Sequence, residues 1–268
     1  MAGGTTHRPT LREVRRPAAA RGSVGRRGPR WVDLLTVPPA STTVLSAVLW
    51  DMDGTIVDTE PYWIGAEIDL ATEHGGTWDS SLAVELVGNS LETSAALLRE
   101  RAGIRGTDAE IVDELLSRVV RRVSEEGVPW LPGARDLLAQ LRAADVPCAL
   151  VTMSWRALAD VVVAALPADT FAAVVTGDQV TNGKPHPEPY LRAARELGVD
   201  IGACVAIEDS IPGLASAEAS GARVLAVPAV QRIDPAPGRS RVDSLSDVDL
   251  DVLRRIVAGE VHDHAGQN

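Results

Sequence analysis

Five short apolar runs recur along this chain, and the chemistry-bearing residues cluster at the ends of four of them. They read VLSAVLWDMD from Val44, VPCALVT (146–152), FAAVVTG (171–177), ACVAIED (203–209) and ARVLAVP (222–228). Runs this short, apolar without alternation, read as strands buried on both faces. Helical patterns near 133–144, 156–165, 187–197 and 211–220 separate most of them. Strand and helix in alternation predict an α/β fold, a doubly wound parallel sheet of Rossmann-like form.

The first two runs are separated by residues 61–129, too long a stretch for a plain crossover. Helix-forming patterns near 61–74, 91–102 and 108–126 make it an inserted α-helical cap domain. The core is then 44–60 with 130–258, and Pro132 and Gly133 open the helix that resumes it. Residues 259–268 read as a C-terminal tail. Residues 1–43 lack periodicity and read as a disordered basic extension or an over-extended gene start. They contain no apolar stretch of signal-peptide length.

Charge narrows the partners. The net charge is −11, yet residues 1–33 hold eight arginines against Glu13 and Asp33, a net +6 that leaves −17 elsewhere. An acidic body argues against nucleic acid, which rewards a basic face. No run approaches the ~20 apolar residues that span a bilayer, so no membrane partner is expected. Cys148 and Cys204 lie within apolar runs, as reduced core thiols of a cytoplasmic protein would. Of 26 basic residues only Lys184 is lysine, and a compact ammonium is what an arginine fork cannot imitate.

Ligands of open α/β sheets sit at the carboxyl ends of the strands. There the first run delivers Asp51 and Asp53, two apart and so able to face one site. Two close carboxylates favour holding a proton or a metal ion. Thr152 ends the second run with a hydroxyl and amide suited to a phosphate oxygen. Lys184 follows the third in TNGKPHPEPY, where Pro185 and Pro187 stiffen the chain. Glu208 and Asp209 end the fourth and can complete an oxygen-rich magnesium site. An acid-x-acid pair alone would read as a capped turn; four agreeing strand ends point to phosphoryl chemistry.

DMDGT, the strand-terminal Thr152, Lys184 of GKPHPEPY and the IEDS segment resemble, in order, the four motifs of the haloacid dehalogenase superfamily. The helical insertion is similar to the cap of its branch containing β-phosphoglucomutases and sugar-phosphate phosphatases. The resemblance implies an Mg²⁺-dependent phosphatase in which Asp51 attacks phosphorus and becomes transiently phosphorylated. Asp53 would protonate the leaving oxygen and then activate water. Thr152 and Lys184 would hold the phosphoryl group. Asp51, the backbone carbonyl of Asp53, and Asp209 would bind the metal, with Glu208 as a further ligand or a support behind one.

The same resemblance places Glu60, Tyr62, Trp63 and the segment Gly88-Asn89-Ser90-Leu91 near a small, sugar-like phosphorylated substrate. Asn89 and Ser90 read equally as a helix cap before Leu91. The mutases carry a histidine and an arginine where Trp63 and Leu91 stand here, which favours release of the phosphoryl group to water. A sugar phosphomutase remains the enzymatic alternative, and a non-catalytic phosphate-binding module the alternative of another class. Dehalogenases need neither Asp53 nor Asp209, and the lysine of phosphonate hydrolysis has no counterpart in 61–129. His74, His186, His262 and His264 form no evident ligand set, and Glu85, Glu188 and most arginines read as solvated or ion-paired surface.

Overall fold

Strand β1 (Ala47–Trp50) lies inside a six-stranded parallel sheet with all four side chains buried. This computed structural model describes residues 44–86, 89–228 and 232–266. The expected basic extension, 1–43, and Gly88 of the cap segment lie outside the described residues. The other strands are β2 (Cys148–Val151), β3 (Ala173–Val175), β4 (Cys204–Glu208), β5 (Arg223–Ala226) and β6 (Arg239–Arg241). Their order is β3-β2-β1-β4-β5-β6. Val48 pairs with Cys148 on one side and Val205 on the other. Chain order therefore reverses between β1 and β4, and the crevice at their carboxyl ends is where such sheets bind ligands. The doubly wound fold is as the runs predict.

Among the described residues the insertion after β1 carries α1 (Glu60–Glu73), α2 (Ser80–Ala83), α3 (Leu91–Arg101) and α4 (Asp108–Glu126). Helix α4 starts at a capping box in which Thr107 and Glu110 each satisfy the other's backbone amide. It buries a stripe from Ile111 through Leu115 and Val119 to Val123, and packs against α1 and α3. Arg118 clasps α4 to α1 through a two-pronged contact with Glu73 at 2.8 and 2.6 Å. Arg122 adds a contact to Asp69 at 3.1 Å. Both arginines are committed to α1 carboxylates.

The sheet is flanked by α5 (Ala134–Ala143), α6 (Arg156–Ala164), α7 (Glu188–Leu197), α8 (Ile211–Ser220) and α9 (Leu250–Val257). The α4 helix also packs on α6. Neither β6 nor α9 is among the elements the apolar runs predict. The β6 segment, Arg-Ser-Arg, offers no apolar run and pairs along its length with β5. Residues 262–264, expected in a free tail, run beside β6: Arg241 donates to His262 O at 2.8 Å and accepts from His264 N at 2.9 Å. Glu188, expected as solvated or ion-paired surface, instead accepts from the amides of Thr181 and Asn182 and fixes the loop before Lys184. Cys148 and Cys204 are buried and free. Among the described residues no helix is long and apolar enough to cross a membrane.

Candidate active site

The β1 strand ends where its ladder to β4 ends, with Asp51 N donating to Ile207 O at 3.0 Å. The chain then turns sharply. Gly54 takes φ +84°, a left-handed conformation that suits glycine, while Thr55, Ile56 and Val57 all donate to Met52 O. This turn leaves Asp51 buried and Asp53 half-buried at one cleft, which Thr152, Lys184 and Asp209 also line.

Lys184 is the hub. Its Nζ donates to Asp51 Oδ1 at 2.6 Å, Glu208 Oε1 at 2.6 Å and Val151 O at 2.9 Å. Burial works against its charge, but Asp51 and Glu208 outweigh that and hold its pKa above the ordinary lysine value. Burial is also the main force on Asp51, whose pKa is pushed up to about 7; Lys184 opposes the rise and Glu208 and Asp53 add to it. Asp209 is raised for the same reasons, burial first and Asp51 next. Carboxylates held this way favour a nearby positive charge.

Glu208 is fully buried, and both its oxygens are taken. Oε1 accepts from Lys184 and from Tyr190 OH at 2.7 Å; Oε2 accepts from the amides of Asp209 and Ser210 and from Ser210 Oγ at 3.1 Å. Helix α8 makes room for it with Gly213, where an added Cβ would lie 2.0 Å from the carboxylate. Asp53 is fixed from three sides. Thr59 donates to Oδ1, while Thr152 at 3.1 Å and Ser154 at 2.8 Å donate to Oδ2.

Asp51, Glu208 and Asp209 bring carboxylate oxygens within 4.8 Å of one another. Buried Asp51 Oδ2 has no hydrogen-bond partner among the described residues. An orphaned carboxylate oxygen in an all-oxygen cluster suits a hard divalent cation.

Residues 48–227 match the haloacid dehalogenase-like hydrolase family. The chain belongs to that family. Protein CbbY of Rhodobacter capsulatus is 35% identical over 69% of this chain and 86% of its own length. Hexitol phosphatase B of Escherichia coli K12 is 31% identical over 80% and 96%. A crystal structure of a CbbY variant from Rhodobacter sphaeroides, in complex with xylulose-(1,5)bisphosphate, superposes with a TM-score of 0.71 at 27% identity, covering 78% of this chain and 99% of that one.

In this hydrolase the cleft gathers Asp51, Asp53, Thr152, Lys184 and Asp209 with Glu60, Trp63 and Asn89. Glu208 stands directly behind them. Ser90 falls outside: it is exposed and caps α3, its side chain accepting from Thr93 N. The Thr152 hydroxyl is committed to Asp53 and accepts from Ser154 N. Sequence reasoning misses Thr59, Ser154 and Tyr190. Thr59 Oγ1 donates to Asp53, and Tyr190 meets Glu208 only through the fold.

Proposed function

We propose that this hydrolase is a phosphatase for a small phosphorylated metabolite of sugar type, with Mg²⁺ as its cofactor. The observation that carries it is the junction of Lys184 with Asp51 and Glu208 at 2.6 Å each, at a cleft that also receives Asp53. Asp51 is the nucleophile: Lys184 holds Oδ1, and Oδ2 has no hydrogen-bond partner among the described residues. Asp53 is the general acid and then the base, oriented by Thr59, Thr152 and Ser154. Lys184 and the Thr152 backbone offset charge on the transferring phosphoryl group.

Mg²⁺ would be held by Asp51, the backbone carbonyl of Asp53, and Asp209, and supplies charge neutralisation between an anionic nucleophile and an anionic phosphate. Glu208 serves as a support rather than a ligand, because five hydrogen bonds already occupy its oxygens. The α1–α4 segment is a cap over the core. The buried free thiols support a reducing, cytoplasmic setting.

Hydrolysis is favoured over mutase chemistry by the charge of the cleft. A mutase must grip a second phosphate while a bisphosphate reorients. Lys184 is the single cation among the described residues lining the cleft, and Leu91 lines it where the mutases carry an arginine. Arg99, Arg101, Arg118 and Arg122 are instead paired with Asp108, Glu85, Glu73 and Asp69. The name of the hexitol phosphatase relative points the same way. The test is phosphorus NMR of a hexose or hexitol phosphate incubated with the protein and Mg²⁺, with and without hexose bisphosphate. Inorganic phosphate with free sugar is expected; an isomeric sugar phosphate primed by the bisphosphate would overturn hydrolysis.

A further inference from the structure

Two buried polar side chains face the cleft from the helices above it, and the reaction just described uses neither. Glu67 on α1 is 5% exposed and Ser94 on α3 is 6% exposed. Both line the cleft. Glu67 Oε2 accepts from Trp78 Nε1 at 3.2 Å, and Trp78 is itself buried. Glu67 Oε1 and Ser94 Oγ have no hydrogen-bond partner among the described residues. Both side chains are nearly buried, and unpaired polar atoms that open onto a ligand cleft from such side chains are suited to find their partner in the ligand.

The surroundings define that ligand. Ala83, Leu86, Leu91 and Leu115 give the cleft an apolar wall, while Asp58 and Glu60 also line it. A carboxylate or second phosphate beside Glu67 would meet the charge of Glu60, and among the described residues lining the cleft Lys184 is the single cation. A hydroxyl would meet groups able to donate to it and accept from it.

We infer that Glu67 determines specificity by hydrogen-bonding a hydroxyl on the unphosphorylated end of the substrate, which carries no second anion. The inference rests on the phosphatase reading above and names its substrate class: monophosphates of polyols or sugars with an uncharged far end. Burial, the largest influence on Glu67, pushes its pKa up to about 8, against the Trp78 hydrogen bond. Near neutrality the group is then mostly a carboxylic acid, which both donates and accepts, as a hydroxyl partner requires. Trp78 holds it in place from behind.

The test compares the full-length protein with Glu67→Gln and Glu67→Met, each with Mg²⁺. Substrates are a hexitol 6-phosphate, the corresponding aldonic acid 6-phosphate, and acetyl phosphate, which has no hydroxyl to offer. The wild type should prefer the hexitol over the aldonate phosphate by at least ~10-fold in kcat/KM. Glu67→Gln keeps an acceptor for Trp78 and a donor for the cleft, and should stay within ~3-fold on the hexitol phosphate. Glu67→Met should lose about 10-fold, mainly in KM, as expected for one missing hydrogen bond. Acetyl phosphate turnover should be equal in all three. If Glu67→Met fails to fold, Glu67→Asp, which withdraws the carboxyl by one methylene, takes its place with the same expectation. An unchanged KM for the hexitol phosphate in the folded variant, or a wild-type preference for the aldonate, overturns the inference. Failure of the wild type to hydrolyse acetyl phosphate would instead sink the phosphatase reading itself.

Discussion

Lys184 Nζ and Asp51 Oδ1 meet at 2.6 Å across 133 positions of sequence, both side chains almost entirely buried. The contact explains why the chain's one lysine stands here. An ammonium fits between Asp51, Glu208 and the Val151 carbonyl, where a planar guanidinium cannot present three donors to one point. Lys184→Arg should therefore lower kcat/KM by at least ~10-fold, about 1.4 kcal/mol of transition-state stabilisation. Lys184→Met should destabilise the metal-free protein by about 3–5 kcal/mol, since two buried carboxylates lose their counter-charge. Steady-state kinetics and urea titration check the pair; wild-type kinetics in the arginine variant would make the lysine incidental.

The carboxylates after β1 should separate cleanly by mutation. Asp51→Asn removes the proposed nucleophile and should abolish turnover and phosphoprotein formation. Asp53→Asn leaves the backbone carbonyl in place and should retain Mg²⁺ binding while losing about 10²–10⁴-fold in kcat. Calorimetric Mg²⁺ titration beside kinetics tests both. Equal loss of metal binding in the two variants would contradict the division of labour.

Glu208 gives a third test, because its place depends on neighbours outside the cleft. Tyr190→Phe removes the 2.7 Å hydrogen bond from a fully buried hydroxyl to a carboxylate, and should cost about 1.5–3 kcal/mol of stability. Gly213→Ala sets a methyl group 2.0 Å from the same carboxylate and must displace it or the start of α8. Weaker Mg²⁺ binding is expected in both, more severely in Gly213→Ala. Unaltered metal affinity in that variant would show that Glu208 does not organise the site.

Glu67 should leave a mark on stability as a function of pH. Its pKa rises from 4.5 to about 8 on folding, burial being the largest cause. Between those values the folded chain binds the extra proton, so its contribution is complete below about pH 4.5 and fades as pH rises through 8. Glutamine has no such proton to lose. The melting temperature of Glu67→Gln should fall less than the wild type's between pH 5 and 8, with the variant relatively most stable at the alkaline end. Parallel curves would mean that the carboxyl ionises freely in the fold.

The amino-acid sequence determined the sheet and the reacting groups at its rim, because a strand buried on both faces must be apolar throughout and chemistry must then wait for its end. Asp51, Thr152, Glu208 and Asp209 were legible for that reason, and Lys184 because no other lysine exists. The α3 and α4 helices were legible as helix-forming patterns, within a residue or two of their bounds. The β6 strand was not, since three residues of Arg-Ser-Arg carry no apolar signal and take their conformation from β5. Only the tertiary structure assigned partners. It spent the Thr152 hydroxyl on Asp53, filled both oxygens of Glu208, and turned Ser90 into a cap. It also buried Glu67 against Trp78 and opened its other oxygen to the cleft. Hydrogen bonds act over about 3 Å between groups that the chain brings together from anywhere, so residue type declares what a side chain can do and packing decides which partner it meets.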